Sequence, residues 1–317
     1  CCECGCQFRI ERLPSDEELW QIYQSGKQTI SELSELYGVS PSTIKRRLRS
    51  ITIEWENPPL EGEGFVHIDV TYWGHNWGVI LALDSQTGRV LYMAFIQSEK
   101  TSDYQDAVKS IEDRGYSIRG IILDGKQNVF KALSSYKLQM CHFHMQEITK
   151  RYLTKNPHLK AARALKELMR KLNSSSCEDF ESEYGKWKDT WKETLNKRST
   201  LKNGRTQFRH KRLRSAMHSL DWYMPYLFTF QRPDCVGMPN TNNKIEGTFS
   251  DLKKNMNNHS GMSKENRKRF ICLYFSSKKQ PVLMNNIIPD AVGFIDAPQF
   301  LFFRNGRRAS PFRKKRN

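Results

Sequence analysis

Five short runs of strand length, rich in branched and aromatic residues, constrain the fold more than any other feature of this 317-residue chain. They cover residues 65–70, 79–83, 89–96, 118–123 and 139–143. Helical patterns at 103–114 and 128–133 separate the last three of them. This order predicts a mixed α/β sheet, in which a parallel crossover joins the first strand to the fourth.

Two of these runs carry an aspartate. Asp69 lies within the apolar run that starts at Phe65, and Asp124 directly follows the run that ends at Leu123. An acid among apolar residues is costly to bury unless it is paired or binds a metal. If the first and fourth strands are neighbours, the two carboxylates come together. The alternative is that Asp69 faces solvent by simple alternation or pairs with a lysine.

A third acid, Glu246, lies at the start of a predicted helix. Cleaving or joining a phosphodiester needs an activated oxygen nucleophile, a stabilised leaving oxygen and neutralised charge, and two carboxylate-bound Mg²⁺ ions supply all three. We therefore predict that Asp69, Asp124 and Glu246 are catalytic and hold two Mg²⁺ or Mn²⁺ ions. Three other acids compete for such a role. We predict that Asp84 is a turn residue and that Asp103 is a helix cap, and the sequence assigns no role to Glu99.

Cys141 and His144 have the C-x-x-H spacing that can clamp a metal. Only two such ligands are evident in the sequence, so a closed zinc site is not expected here. The pattern favours a pair that orders the wall of the active site or contacts DNA. A buried cysteine and histidine near the end of a strand is the alternative.

Residues 15–52 have the pattern of a helix-turn-helix. Gly38 marks the turn, and Pro41 suits the first position of the next helix, where its missing N–H costs nothing. Short polar groups at the start of that helix would reach base edges, and its basic residues would bind phosphates. The predicted DNA-binding residues are Ser42, Thr43, Lys45, Arg46, Arg47 and Arg49. The alternative is an ordinary helical hairpin.

The positive charge is unevenly spread. The chain has a formal net charge of +17, and residues 145–235 alone carry 20 Lys and Arg against 10 Asp and Glu. Such a concentration suits a nucleic acid, although a solvated surface is the plain alternative. A basic stretch within this segment is a further predicted DNA contact: Arg205, Arg209, Lys211, Arg212 and Arg214. Bulky apolar stripes at helical spacing in the same segment are predicted to be helical core rather than platforms for stacked bases.

The cysteines are concentrated at the start of the chain. Four of the eight lie in the first six residues. Cys1 and Cys4 have the spacing of half a zinc ribbon, whose other pair would lie upstream; free thiols are the alternative. The layout does not match a secreted disulfide framework, and no signal peptide or membrane span is predicted, so we expect a reducing cytoplasm.

Several of these pieces, in this order, resemble the DDE transposases of bacterial insertion sequences, in the branch related to Mutator-like elements. The resemblance extends over about residues 1–285. It rests on Ile68-Asp69-Val70-Thr71-Tyr72, Leu123-Asp124-Gly125, Cys141-His142-Phe143-His144, Asn242-Asn243-x-x-Glu246-Gly247 and His259-Ser260-Gly261-Met262-Ser263.

The resemblance implies a ribonuclease H-like core with a helical insertion before its last acid. It implies that Asp69, Asp124 and Glu246 are the metal-binding triad and that Cys141 and His144 are the group's C-x-x-H signature. It further implies metal-dependent cleavage and strand transfer of double-stranded DNA at terminal inverted repeats, by a homodimer or larger assembly at the bacterial nucleoid. A ribonuclease H-like nuclease or resolvase, and a non-catalytic regulator derived from a transposase, are the alternatives.

These interpretations divide the chain into seven segments: a partial zinc ribbon (1–14), the helix-turn-helix (15–52), a linker (53–63), the first part of the catalytic core (64–144), the basic helical insertion (145–235), the end of the core (236–285) and a basic tail (286–317).

Overall fold

The computed structural model describes residues 13–25, 28–50, 55, 59–74, 77–201, 203–259 and 261–277. Cys1, Cys4 and the tail 286–317 lie outside the described residues, so the partial zinc ribbon and the basic tail stay predictions. None of the helices in the described part of the chain has the length and apolar content that crossing a membrane would require.

The chain begins with three short helices, α1 (Asp16–Ser25), α2 (Ile30–Leu36) and α3 (Pro41–Ser50). Thr29 caps α2, because its hydroxyl accepts a 3.2 Å hydrogen bond from the backbone N–H of Glu32 while Glu32 accepts one from Thr29. Trp20 links the first and third helices by donating a 2.8 Å hydrogen bond to the carbonyl of Leu48.

A five-stranded mixed sheet forms the centre of the molecule. Its strands are β1 (Glu63–Tyr72), β2 (Gly78–Asp84), β3 (Val90–Ile96), β4 (Ser117–Leu123) and β5 (Leu138–Met140), in the order β3-β2-β1-β4-β5. The first three strands pair antiparallel, and β4 pairs parallel with both β1 and β5. The mixed α/β sheet and its parallel crossover are thereby confirmed, and the sheet is compatible with a ribonuclease H-like fold.

Helix α4 (Thr101–Asp113) supplies the crossover, and α5 (Gln127–Ala132) lies between β4 and β5. The buried face of α4 is the predicted one and carries Tyr104, Ala107, Val108 and Ile111. Asp84 ends β2 and accepts backbone hydrogen bonds from Gln86 and Thr87, which makes it the turn residue that the sequence predicts.

The basic segment is helical, with α6 (His142–Leu153), α7 (Lys160–Lys171), α8 (Cys177–Thr190), α9 (Lys192–Asn196) and α10 (Lys211–Leu227). Phe180, Tyr184 and Trp187 are buried, so this stripe is core, as predicted. An unpredicted hairpin, β6 (Arg198–Thr200) and β7 (Thr206–Phe208), precedes α10.

One predicted strand is shorter than its pattern indicated. The run 139–143 leaves the sheet after Met140, and His142 starts α6. A short apolar run has no period that separates a buried strand from the first turn of a buried helix, which explains the error. Of the C-x-x-H residues, Cys141 consequently lies directly before α6 and His144 on its first turn.

Two helices complete the described chain, α11 (Asn243–Asn257) and α12 (Lys264–Ser277). Helix α11 packs on β1 and β2 through Ile245, Phe249 and Leu252, all buried. The N-terminal helices share a core with α12, where Trp20 lies against Phe270 with ring centroids 6.5 Å apart. The first turn of α11 thus lies near the C-terminal ends of β1 and β4.

Candidate active site

The two strand-borne aspartates come together because β1 and β4 run parallel. Their register pairs His67 with Ile122, and two residues further on Asp69 lies beside Asp124. Asp69 accepts a 2.7 Å hydrogen bond from the backbone N–H of Val70. Burial and the charge of Asp124 nevertheless hold the pKa of Asp69 well above its usual value. The sheet therefore forces two acids into an unfavourable proximity.

Glu246 approaches the same place from the first turn of α11. Nδ1 of His144 lies 3.1 Å from Oδ1 of Asp124 and 3.6 Å from Oε1 of Glu246. The imidazole is therefore positioned between the two carboxylates. Distant parts of the chain supply these three side chains: the end of β4, the first turn of α6 and the first turn of α11.

The charges in this cluster are strongly coupled. Burial lowers the pKa of His144, but the neighbouring Asp124 and Cys141 raise it more, to about 11. Burial raises the pKa of Glu246; the positive charge of His144 opposes that shift and the negative charge of Asp124 adds to it. The cluster as a whole favours positive charge at its centre.

Cys141 forms the inner wall of the cluster. It is fully buried, precedes the first residue of α6, and its Sγ accepts a 3.2 Å hydrogen bond from the backbone N–H of Asn242. The ligand atoms of Asp124, Cys141 and His144 all lie within 4.8 Å of one another. The C-x-x-H pair and one predicted catalytic aspartate thus share a single small volume.

Asn242 is a site residue that sequence reasoning missed. Its side-chain nitrogen donates a hydrogen bond to Asp124, and its side-chain oxygen lies 2.8 Å from Nδ1 of His67. Burial lowers the pKa of His67, which favours the neutral ring. An asparagine directly before a helix ordinarily indicates a side-chain cap, yet the side chain of Asn242 makes no capping hydrogen bond. The sequence alone therefore could not predict that this side chain contacts Asp124 and His67 instead of capping the helix.

A cleft with a volume of about 440 Å³ opens beside Asp69, Asp124 and His144. Glu99, which had no assignment from sequence, lines this cleft and accepts a 2.6 Å hydrogen bond from Tyr104. It also forms a 2.6 Å ion pair with Lys126. Arg151 lines the same opening as Lys126 and Glu99.

The residues present fit divalent metal ions. Asp69, Asp124 and Glu246 offer the hard oxygen ligands that Mg²⁺ and Mn²⁺ prefer. Oε1 of Glu246 is buried and has no hydrogen-bond partner within the described part of the chain. A buried acceptor without a partner is costly, and a bound cation would satisfy it.

The predicted DNA-binding residues fall into two groups. Most are exposed and lie on α3 or around the β6–β7 hairpin: Ser42, Lys45, Arg46, Arg49, Arg205, Arg209, Lys211 and Arg212. The other three residues are half-buried, and their side chains contact other residues of the protein. Thr43 bonds to Ser40, Arg47 forms a 2.5 Å ion pair with Asp16, and Arg214 stacks 3.7 Å from the ring centroid of Phe208.

The chain matches no protein-family model and no curated protein. Among solved structures, it is similar to a chain in the cryo-EM structure of the simian T-cell lymphotropic virus intasome in complex with PP2A regulatory subunit B56 gamma. The similarity has 14% sequence identity and a TM-score of 0.21, and it covers 49% of this chain and 68% of that chain. A similarity this low carries no conclusion about function, which has to be argued from the site.

Proposed function

We propose that this protein is a DDE-type DNA transposase with a ribonuclease H-like core, which binds element ends and catalyses metal-dependent DNA cleavage and strand transfer. One observation carries the proposal: Asp69 and Asp124 line a single cleft, and Nδ1 of His144 lies between Asp124 and Glu246. Clustered carboxylates whose pKa values are raised beside a cleft are typical of a functional site.

Asp69, Asp124 and Glu246 would hold two Mg²⁺ or Mn²⁺ ions. When bound, such ions activate an oxygen nucleophile, stabilise the leaving oxygen and neutralise the phosphate charge. The protein's own part is positioning. His144 and Asn242 hold Asp124 from two sides, and the rigid ends of the strands keep the carboxylates in register.

The cleft also suits the substrate. Lys126 and Arg151 would attract the phosphates that flank the reacting bond, because both line the opening next to the carboxylates. Glu99 pairs with Lys126 at 2.6 Å and would orient that ammonium group. DNA would then lie along the opening with its reacting phosphate toward Asp69 and Asp124.

The N-terminal helices would read the element ends. In this proposal α2 and α3 form a helix-turn-helix, and the turn contains Gly38 in the left-handed conformation at φ 55°. The exposed face of α3 would contact DNA through Ser42, Lys45, Arg46 and Arg49. Exposed arginines and lysines near the β6–β7 hairpin would hold flanking DNA without sequence preference, so binding should weaken steeply with salt.

The test is a cleavage and joining assay with the element's own ends and Mg²⁺ or Mn²⁺. Glu246→Gln keeps the shape of the side chain and removes its charge, and it should lower both activities about a hundredfold to a thousandfold. The matched control is Glu265→Gln on α12, whose side chain is 71% exposed, and it should leave both unchanged.

The assay also separates the alternatives. Pre-cleaved ends that are joined to target DNA support a transposase, whereas cleavage without joining points to a nuclease or resolvase. Sequence-specific binding with neither activity points to a regulator. Full activity of Glu246→Gln would overturn the proposed catalytic site.

A further inference from the structure

The C-x-x-H pair gains additional ligands in the folded chain. The sequence offers only Cys141 and His144, whereas the fold brings Asp124 to within 4.8 Å of both. Cys141 directly precedes α6 and His144 lies on its first turn, so the helix fixes their relative position. A soft sulfur, an imidazole nitrogen and a carboxylate oxygen therefore converge on one point.

Glu246 offers a further donor next to His144. Oε1 of Glu246 lies 3.6 Å from Nδ1 of His144. Oε1 of Glu246 is buried and has no hydrogen-bond partner in the described part of the chain. Nδ1 of His144 is also buried, and its close neighbour is Oδ1 of Asp124, at 3.1 Å. A buried acceptor without a partner is rare, and a cation held by these three side chains would satisfy Glu246.

The spacing of these donors suits a tetrahedral ion. Ligands held about 2.0 to 2.3 Å from a zinc ion are about 3.3 to 3.8 Å from one another. The separations of 3.1 and 3.6 Å lie close to that range. The ligand atoms of Cys141, His144 and Asp124 all lie within 4.8 Å of one another.

We propose that Cys141, His144, Asp124 and Glu246 bind a thiophilic divalent cation such as Zn²⁺. Mg²⁺ would not occupy this position, because it prefers an all-oxygen octahedral set and avoids sulfur. Asp124 and Glu246 thus face two kinds of ion, a soft one on the side of Cys141 and a hard one on the side of Asp69. Binding of the soft ion does not depend on the proposed transposase activity.

Cobalt titration of the 317-residue chain tests this site, with Cys1, Cys2, Cys4 and Cys6 changed to serine so that they cannot bind metal. Co²⁺ added under reducing conditions without DNA should bind at one equivalent. It should show the thiolate-to-cobalt charge-transfer absorption and the intense visible bands of a tetrahedral site, and Zn²⁺ should abolish both. Absence of charge-transfer absorption would overturn the proposal.

Variants identify the ligands. Cys141→Ser keeps an acceptor for the backbone N–H of Asn242, so the fold is preserved while the charge-transfer absorption disappears. Cys235→Ser, at another fully buried cysteine, should retain it. His144→Asn should weaken Co²⁺ binding about tenfold or more. Absorption that persists in Cys141→Ser, or unchanged affinity in His144→Asn, contradicts the ligand set.

X-ray absorption of the one-equivalent Zn²⁺ complex needs no change to the four ligands and so does not depend on whether the variants fold. It should detect one sulfur at about 2.3 Å and nitrogen or oxygen ligands at about 2.0 to 2.2 Å. A shell without sulfur would refute the site. None of these measurements uses DNA, so their outcome is independent of whether the cleavage and joining assay succeeds.

Discussion

The side-chain oxygen of Asn242 lies 2.8 Å from Nδ1 of His67, although the two residues are 175 positions apart in the chain. This contact fixes which way the amide of Asn242 points. Because its oxygen faces the imidazole, its nitrogen faces Asp124 and donates a hydrogen bond to that carboxylate. One buried amide therefore connects β1, the end of β4 and the start of α11.

Replacing this amide should disturb both stability and catalysis. In Asn242→Ala, the buried ring of His67 and the carboxylate of Asp124 each lose a partner, which should lower the free energy of unfolding by about 2 to 4 kcal/mol. Cleavage should fall about a hundredfold, because a misplaced ligand disrupts the carboxylate cluster. Urea denaturation and the cleavage assay measure the two effects.

Asn243→Ala is the matched control, since Asn243 is the next residue and is exposed. It should change stability by less than about 0.5 kcal/mol and leave cleavage intact. Equal effects of the two substitutions would show that Asn242 acts only through the start of the helix.

The sequence predicted the strands and their acids because both signals are local. An apolar run of strand length, with an aspartate inside it or directly after it, can be recognised without knowing what packs against it. The contacts of Asn242 could not be predicted, since they depend on how α11 docks on the sheet. The same holds for the position of His144 between Asp124 and Glu246.

Arg47 illustrates a second limit of sequence reasoning. The basic cluster on α3 predicted a uniform DNA-binding face, and the helical period alone does not tell which of its members is used internally. In the fold, Arg47 turns back to Asp16 and to the carbonyl of Pro14. A tertiary partner on α1 therefore removes one arginine from a set that looks equivalent in the sequence.

Substitution of Arg46 and of Arg47 by alanine should consequently affect different properties of the protein. Arg46→Ala removes an exposed cation, so DNA binding should weaken and the slope of log affinity against log salt should fall by about 1. Arg47→Ala should instead lower the stability of the folded protein by about 1 kcal/mol and leave the salt slope unchanged. Salt titrations of DNA binding and thermal unfolding distinguish the two, and a reduced salt slope in Arg47→Ala would show that this residue contacts phosphate after all.

Gly125 should be intolerant of a side chain. Its φ is 107°, and an added Cβ would lie 2.7 Å from Cε of Met140. Gly125→Ala should therefore cost about 1 to 3 kcal/mol and shift the adjacent Asp124, with a corresponding loss of cleavage. Denaturation curves and the cleavage assay report both effects.

Gly247 provides the comparison, because it lies within α11 and an added Cβ would meet nothing within 4 Å. Gly247→Ala should stabilise the protein by about 0.5 to 1 kcal/mol, since alanine favours a helix over glycine. If both substitutions destabilise equally, backbone conformation is not what restricts Gly125.

Asp84 should make stability depend on pH in the acid range. Burial alone would raise the pKa of this carboxyl, but hydrogen bonds from Thr87, Tyr116 and the turn backbone lower it below its usual value. A folded-state pKa below the unfolded one adds stability above the unfolded pKa, and that stability is lost as pH falls through the folded pKa. Asp84→Asn should thus destabilise the protein by about 1 to 3 kcal/mol near neutral pH, where those hydrogen bonds are made to a charged acceptor. The deficit should shrink below about pH 4, as measured by urea denaturation from about pH 7 to about pH 3.

Asp189→Asn, at an exposed position on α8, should keep the pH profile of the unsubstituted protein. A deficit for Asp84→Asn that stays constant over the whole range would mean that packing of the turn, and not its charge, accounts for the stabilisation.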